Sequence, residues 1–112
     1  MIDINREAEK SLADIDCKVE YYYPSKFNKL PVVSFYTVSE SPDLVQDNEE
    51  SIQKGTVVVD VWADEPIICG TTSVKVNEVM NADGWVREFS RDIPPEGDVF
   101  HKTMRFSKIF NL

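Results

Sequence analysis

The amino-acid sequence predicts an α+β fold: a single domain of element order α-β-β-β-α-β-β, with a mostly antiparallel sheet and two helices packed on one face. Three observations carry that expectation. Gly55 to Asp64, GTVVVDVWAD, joins the strongest strand propensity in the chain to a two-residue period. Ile4, Ala8, Leu12 and Ile15 recur at helical spacing, and Phe100, Met104, Phe106 and Phe110 share one face of a C-terminal alternation. A chain of 112 residues buries about two-thirds of its unfolded surface, which suffices for one core and leaves no room for a second domain.

Taken in order, Asp3 caps a first helix over Ile4 to Ala13, its carboxylate accepting from the free N–H groups of the first turn and facing the positive end of the helix dipole. Lys18 to Tyr23, KVEYYY, reads as a first strand ended by Pro24, and Phe27 and Leu30 anchor the polar connection that follows. Pro31 opens a second strand over Val32 to Val38. From Ser39 the segment SESPDLVQDNEE is turn chemistry, too long for a tight reversal. It predicts a flexible hairpin flap over about 39–54, mobile in a free subunit and ordered on assembly, with Glu49 to Lys54 prolonging strand three.

In the third strand Val57, Val59, Val61 and Ala63 form an apolar face that calls for helices. Thr56, Val58, Asp60 and Trp62 form a second face suited to solvent or another subunit. Asp64 as cap and Pro66 in the first turn start a second helix, expected to be regular from about Thr71 to Met80 because Gly70 and the β-branched residues weaken its beginning. Cys69, Thr72, Val76, Val79 and Met80 share its inner face, and Gly84 takes the left-handed position at its end. Trp85 to Ile93 is the fourth strand, Pro94 to Gly97 the reversal, and Asp98 to Phe110 the fifth strand. There His101, Thr103, Arg105 and Ser107 lie opposite the aromatic face, so His101 is expected as an exposed strand residue, with a titrating interface group as the sharper alternative.

The net charge of −8 disfavours a nucleic-acid binder, which must neutralise phosphates with Lys and Arg. Between Thr37 and Pro66 eight acids face the single base Lys54, whereas from His101 onward Lys102, Arg105 and Lys108 meet no acid. This is either an acidic hairpin and a basic last strand, each solvated, or a head-to-tail contact between subunits. Metal, cofactor and catalytic sites are not expected. One His and two distant Cys make no ligand spacing, Cys17 and Cys69 sit at apolar faces as small hydrophobes, and no phosphate-binding, nucleophile-elbow or zinc-protease motif occurs. No apolar run approaches the roughly 20 residues of a membrane span, and the first residues lack the apolar core of a secretory signal, so no membrane partner and a reducing cytoplasm are expected.

Three blocks, YYYPSKFNKLPVVSFYTVSE, VVVDVWAD and GWVREFSRDIPPEGDVFHKTMRFSKIF, resemble in their order and spacing the small tail terminator, or tail-to-head joining, proteins of long-tailed bacteriophages and prophages. The resemblance implies a subunit, tail-terminator-like over residues 1–112, that forms a hexameric ring on the finished tail tube. It implies further that the ring stops polymerisation of the major tail tube protein, offers the surface on which the head-completion or connector protein docks, and lets DNA pass without specific binding. The location it implies is the bacterial host cytoplasm during assembly and then the virion tail or neck. A closing ring needs two different complementary faces on each subunit. The residues assigned to them are Asp47, Glu49, Glu50, Asp60, Trp62, Lys102, Arg105 and Lys108. The alternative from another class is a small non-viral adaptor or protein-interaction module with an exposed sheet face.

Overall fold

The computed structural model describes residues 1–27, 29–46 and 49–112, and for 41–46 and 49–51 it describes the backbone alone. The elements follow the expected order: α1 (Ile4–Leu12), β1 (Lys18–Tyr21), β2 (Val32–Gln46), β3 (Glu49–Ala63), α2 (Pro66–Ala82), β4 (Val86–Glu96) and β5 (Val99–Asn111). One sheet contains all five strands in the order β1-β2-β3-β5-β4, with β1 parallel to β2 and the other pairs antiparallel.

The alternation of β3 decides where the core lies. Val57, Val59, Val61 and Ala63 are fully buried and pack with Ile4, Ala8 and Leu12 of α1, Val76 and Met80 of α2, and Met104 and Phe106 of β5. Both helices therefore cover the same face, and each buried Val, Leu or Ile side chain contributes about 1.5–3 kcal/mol of transfer free energy. Asp3 caps α1 as expected, its Oδ1 accepting from the Arg6 N–H at 3.2 Å. Trp85 is buried against Phe110, and its Nε1–H donates to the Ser11 hydroxyl at 3.0 Å, which fastens the end of the α2 connection to α1.

Several boundaries differ from expectation for identifiable reasons. β1 stops at Tyr21 because Tyr22 has a φ of 79°, a left-handed conformation that ends any strand. β2 does not end at Val38 but runs to Gln46, so most of the supposed turn segment is strand. Irregularities of register between Thr37 and Ser39 and between Pro42 and Leu44 absorb the extra residues. Pro42 is admitted because beyond Phe35 the outer edge of β2 has no partner strand among the described residues.

α2 is helical from Pro66, straight through CGTT, and its N-cap is Glu65 rather than Asp64, without a side-chain cap bond. Burial of Cys69, Thr72 and Ser73 overrides the poor propensity, the Ser73 hydroxyl bonds back to the Cys69 carbonyl at 2.7 Å, and Gly70 faces open space. β4 continues through Pro94 and Pro95 to Glu96, leaving the reversal to Gly97 at φ 60°. The basic last strand is interior to the sheet: β5 lies between β3 and β4.

Gly55 sets the distance between α1 and the sheet. A Cβ there would stand 2.6–2.9 Å from three side-chain carbons of the fully buried Ile4. Gly55→Ala is expected to cost about 1–3 kcal/mol by overpacking, and Ile4→Val in the same chain to recover part of it by removing the nearest carbon. Urea unfolding of the two single variants and the double variant checks this; a Gly55→Ala protein as stable as the parent would contradict it.

Candidate functional site

The sheet face away from the helices is organised by strand register into three rows of side chains. Val32, Trp62, His101 and Ile93 form the first row, Ser34, Asp60, Thr103 and Arg91 the second, and Tyr36, Val58, Arg105 and Phe89 the third. Thr56, Val58, Asp60 and Trp62, expected to meet solvent or another subunit directly, are each less than 9% exposed. The chain itself supplies their cover.

That cover begins at Tyr22. A bulky side chain at positive φ costs on the order of 1–3 kcal/mol, and here the conformation is held by the Tyr22 N–H donating to the Phe35 carbonyl at 2.7 Å and by its ring stacking on Tyr36 with centroids 5.2 Å apart. The turn carries Tyr23 and Phe27 over the sheet, where their rings meet Trp62 at centroid distances of 5.2 and 5.3 Å.

His101 lies flat on the Trp62 indole, centroids 3.6 Å apart and planes 16° apart. Its Nε2 is 2.7 Å from Asp60 Oδ1, and because a carboxylate only accepts, Nε2 carries the hydrogen. The indole Nε1–H donates to the Ser34 hydroxyl at 3.0 Å. His101 is thus not the exposed strand residue expected from its polar neighbours: its side chain is 18% exposed, wedged between an indole and a carboxylate. Beside this stack opens a cleft of about 410 Å³ lined by Tyr23, Phe27, Trp62, Ile93, Pro94 and His101, with Glu96 and Val99 at its end.

The second and third rows add cations and donors. The Arg105 guanidinium stands over the Phe89 ring, 5.1 Å from its centroid, and its Nε is buried without a hydrogen-bond partner. Burial, reinforced by the Asp60 carboxylate, pushes the Tyr36 phenol up, so it remains a neutral O–H donor. Tyr22, Tyr23, Val86 and Phe89 are exposed around the rows. Open π faces, guanidinium groups and phenol donors are the groups that bind carboxylates and flat apolar side chains, and the combination is that of protein interfaces. Among the described residues no three His, Cys, Asp or Glu side chains converge as metal ligands, and no helix is long and apolar enough to cross a membrane.

Of the residues assigned from sequence to subunit contact, Asp60 and Trp62 stand at the centre of this face and Arg105 in its third row. Lys102 and Lys108 lie on the other face. Lys102 pairs with Asp92 at 3.4 Å, while Lys108 donates to the Asp83 carbonyl and holds its ammonium 5.0 Å from the Phe110 ring centroid. Positions three apart on a strand have opposite parity, so the basic last strand is divided between two faces. Glu49 and Glu50 belong by backbone to the start of β3, opposite Gln46 and Val45 and beyond the end of β5, and Asp47 lies outside the described residues.

Sequence reasoning passed over Tyr36, Phe89 and Arg91. The available signal was the period-two set Phe89, Arg91 and Ile93 in β4, which register places beside Arg105, Thr103 and His101. Compared with models of known protein families and with curated proteins, the chain matches none.

Burial pushes both thiols up, with Asp16 adding to the effect at Cys17 and Asp92 at Cys69. Since the thiolate is the reactive form, Cys69, 5% exposed, should react with a disulfide reagent at pH 8 at least about tenfold more slowly in the folded protein than in urea. The same shifts favour the fold fully below the ordinary thiol value of 9.0, and progressively less as pH rises through the folded-state values, because the unfolded thiols ionise first. Equal reaction rates in buffer and urea would contradict the buried placement.

Proposed function

We propose that this chain is a tail terminator subunit of a long-tailed bacteriophage or prophage. In this reading it assembles as a hexameric ring on the end of the tail tube, stops addition of further tube protein and presents the surface that joins the tail to the head connector. The three blocks of sequence that carry the resemblance cover the turn after β1 with β2 as far as Glu40, β3 from Val57, and nearly all of the β4–β5 hairpin, so together they hold the body of the sheet. The α+β architecture agrees with the fold that the resemblance implies.

The observation that carries the reading is the division of labour between the two sheet faces. One is sealed by α1 and α2 into a complete core. The other keeps exposed Tyr22, Tyr23, Phe89 and Val86 beside Arg105. Apolar and aromatic residues gathered on one side of a folded subunit mark a contact with another molecule. A subunit that must touch its neighbours, the tube and the connector needs such surface. The acidic balance of the chain, −8 overall, suits a ring through which DNA moves without being held.

Electron microscopy of tails assembled with and without the gene tests the reading. Tails made without it should be of irregular, excessive length and fail to join heads, and supplying the protein in trans should restore uniform, joined tails. Tails of normal length that join heads in its absence would overturn the assignment.

A further inference from the structure

Two kinds of free surface could receive a partner: the strand edges and the open sheet face. The edges are poorly suited to strand addition. β1, the edge strand on one side, is only four residues long and runs straight into the left-handed Tyr22. β4 is an exposed edge strand, but it carries Pro94 and Pro95, which lack N–H donors, and a register irregularity between Arg87 and Phe89. The outer edge of β2 beyond Phe35 carries Pro42 and three register irregularities. Prolines and bulges of this kind are what keep a sheet edge from pairing with another chain. That leaves the face.

Within the face, Arg105 is the group with an unmet requirement. Its Nε is buried and makes no hydrogen bond, and among the described residues neither Arg105 nor Arg91 has a carboxylate within 4.0 Å. Asp60, the acid of the neighbouring row, is engaged by His101. The face therefore offers guanidinium donors next to exposed aromatic rings, which together call for a carboxylate carried on a segment with some apolar surface.

The chain contains such a segment. Residues 40–50, ESPDLVQDNEE, hold five acids, no Lys or Arg, and Leu44 and Val45 between them. The same copy cannot use it. Tyr36 lies in the row of Arg105, and strand β2 runs on to Gln46, so at about 3.4 Å per residue the Gln46 backbone lies roughly 30 Å along the sheet from that row. The hairpin would have to leave its ladder to reach back.

We propose that the open face of one subunit, centred on Arg105 and the Tyr22, Tyr36 and Phe89 rings, docks the acidic hairpin end of a second copy. A glutamate or aspartate of that end pairs with the terminal guanidinium nitrogens of Arg105, which are not among the buried atoms. Two different surfaces meet, so the contact is heterologous and propagates from copy to copy until it closes. The proposal rests on the self-assembling reading above and commits it to a particular pair of surfaces.

The test uses the purified full-length chain, with mass in solution measured by analytical ultracentrifugation at about 50 mM and 500 mM salt. The variants are Arg105→Glu, the pair Glu49→Arg with Glu50→Arg, and an equimolar mixture of these two proteins. The parent is expected to associate at low salt and more weakly at high salt. Each variant alone should associate at least about tenfold more weakly, and the mixture should associate far better than either, since each protein then supplies what the other lacks.

Rescue in the mixture also shows that both variants are folded. A parent that forms rings while Arg105→Glu associates as tightly as it does overturns this surface and leaves the ring reading standing. Variants that are weak alone and not rescued in the mixture overturn it equally. A parent that stays monomeric up to millimolar concentration at both salts overturns the self-assembling reading and this proposal together.

Discussion

The structure depends on the strict alternation of β3, the strand at the centre of the sheet, flanked for most of its length by β2 and β5. Its odd-numbered residues from Val57 to Ala63 form the floor of the core, and its even-numbered residues from Thr56 to Trp62 form the floor of the opposite face. A slip of one residue in the pairing of β3 would exchange these sets, placing Asp60 and Trp62 beneath the helices and the valines beneath the tyrosines. Because β2 and β5 take their register from β3, the same slip would carry Phe35, Met104 and Phe106 out of the core. The Asp60–His101 bond and the Val59–Met104 contact row are thus two consequences of one register.

Covering one face with helices leaves the other to be managed, and the chain does so in two ways within a few residues. Near Trp62 it folds its own aromatic turn back onto the sheet, accepting a strained backbone at Tyr22 in exchange for rings that shield the indole and the Asp60–His101 pair. Further along, at Arg105 and Phe89, none of the described residues returns over the sheet, and the Phe89 ring stays in solvent beside a guanidinium whose Nε has no partner among them. The burial of an Arg nitrogen without an acceptor is unfavourable in the isolated subunit. The terminal nitrogens of the same guanidinium are not buried, and they are the donors that an external carboxylate can reach.

How much of this is legible in the sequence follows from the range of each signal. Period-two and helical spacing are local, so the order of elements, the helix-covered face and the Asp3 cap can all be read directly. The full extent of β2 and α2 cannot, because SESPDLVQ and CGTT have poor intrinsic propensity, and only the pairing of β2 with β3 and the burial of Cys69 and Ser73 make them regular. His101 shows the same limit at the site. Its neighbours Lys102 and Thr103 suggest an exposed strand, but its environment is set by Trp62 across the ladder and by Asp60 in the next row, some 40 residues earlier. The aromatic run Tyr21 to Tyr23 is visible as composition. That a left-handed Tyr22 throws Tyr23 over Trp62 is a property of the backbone alone.

The cations of β5 show why a charge count along the chain is a weaker guide than parity. Lys102, Arg105 and Lys108 look like one basic strand, yet spacing by three assigns the middle one to the opposite side from the other two. The lysines find partners within the subunit, at Asp92 and at the Asp83 carbonyl, and there they serve the last hairpin and the end of α2. Exposed pairs of this kind contribute only about 0–1 kcal/mol. Arg105 differs in chemistry as well as in position. Its planar guanidinium lies over the Phe89 ring and carries donors in a fixed fork, which a lysine ammonium at that site would not reproduce. The one cation of the three that faces the open surface is therefore also the one whose geometry suits a carboxylate from outside.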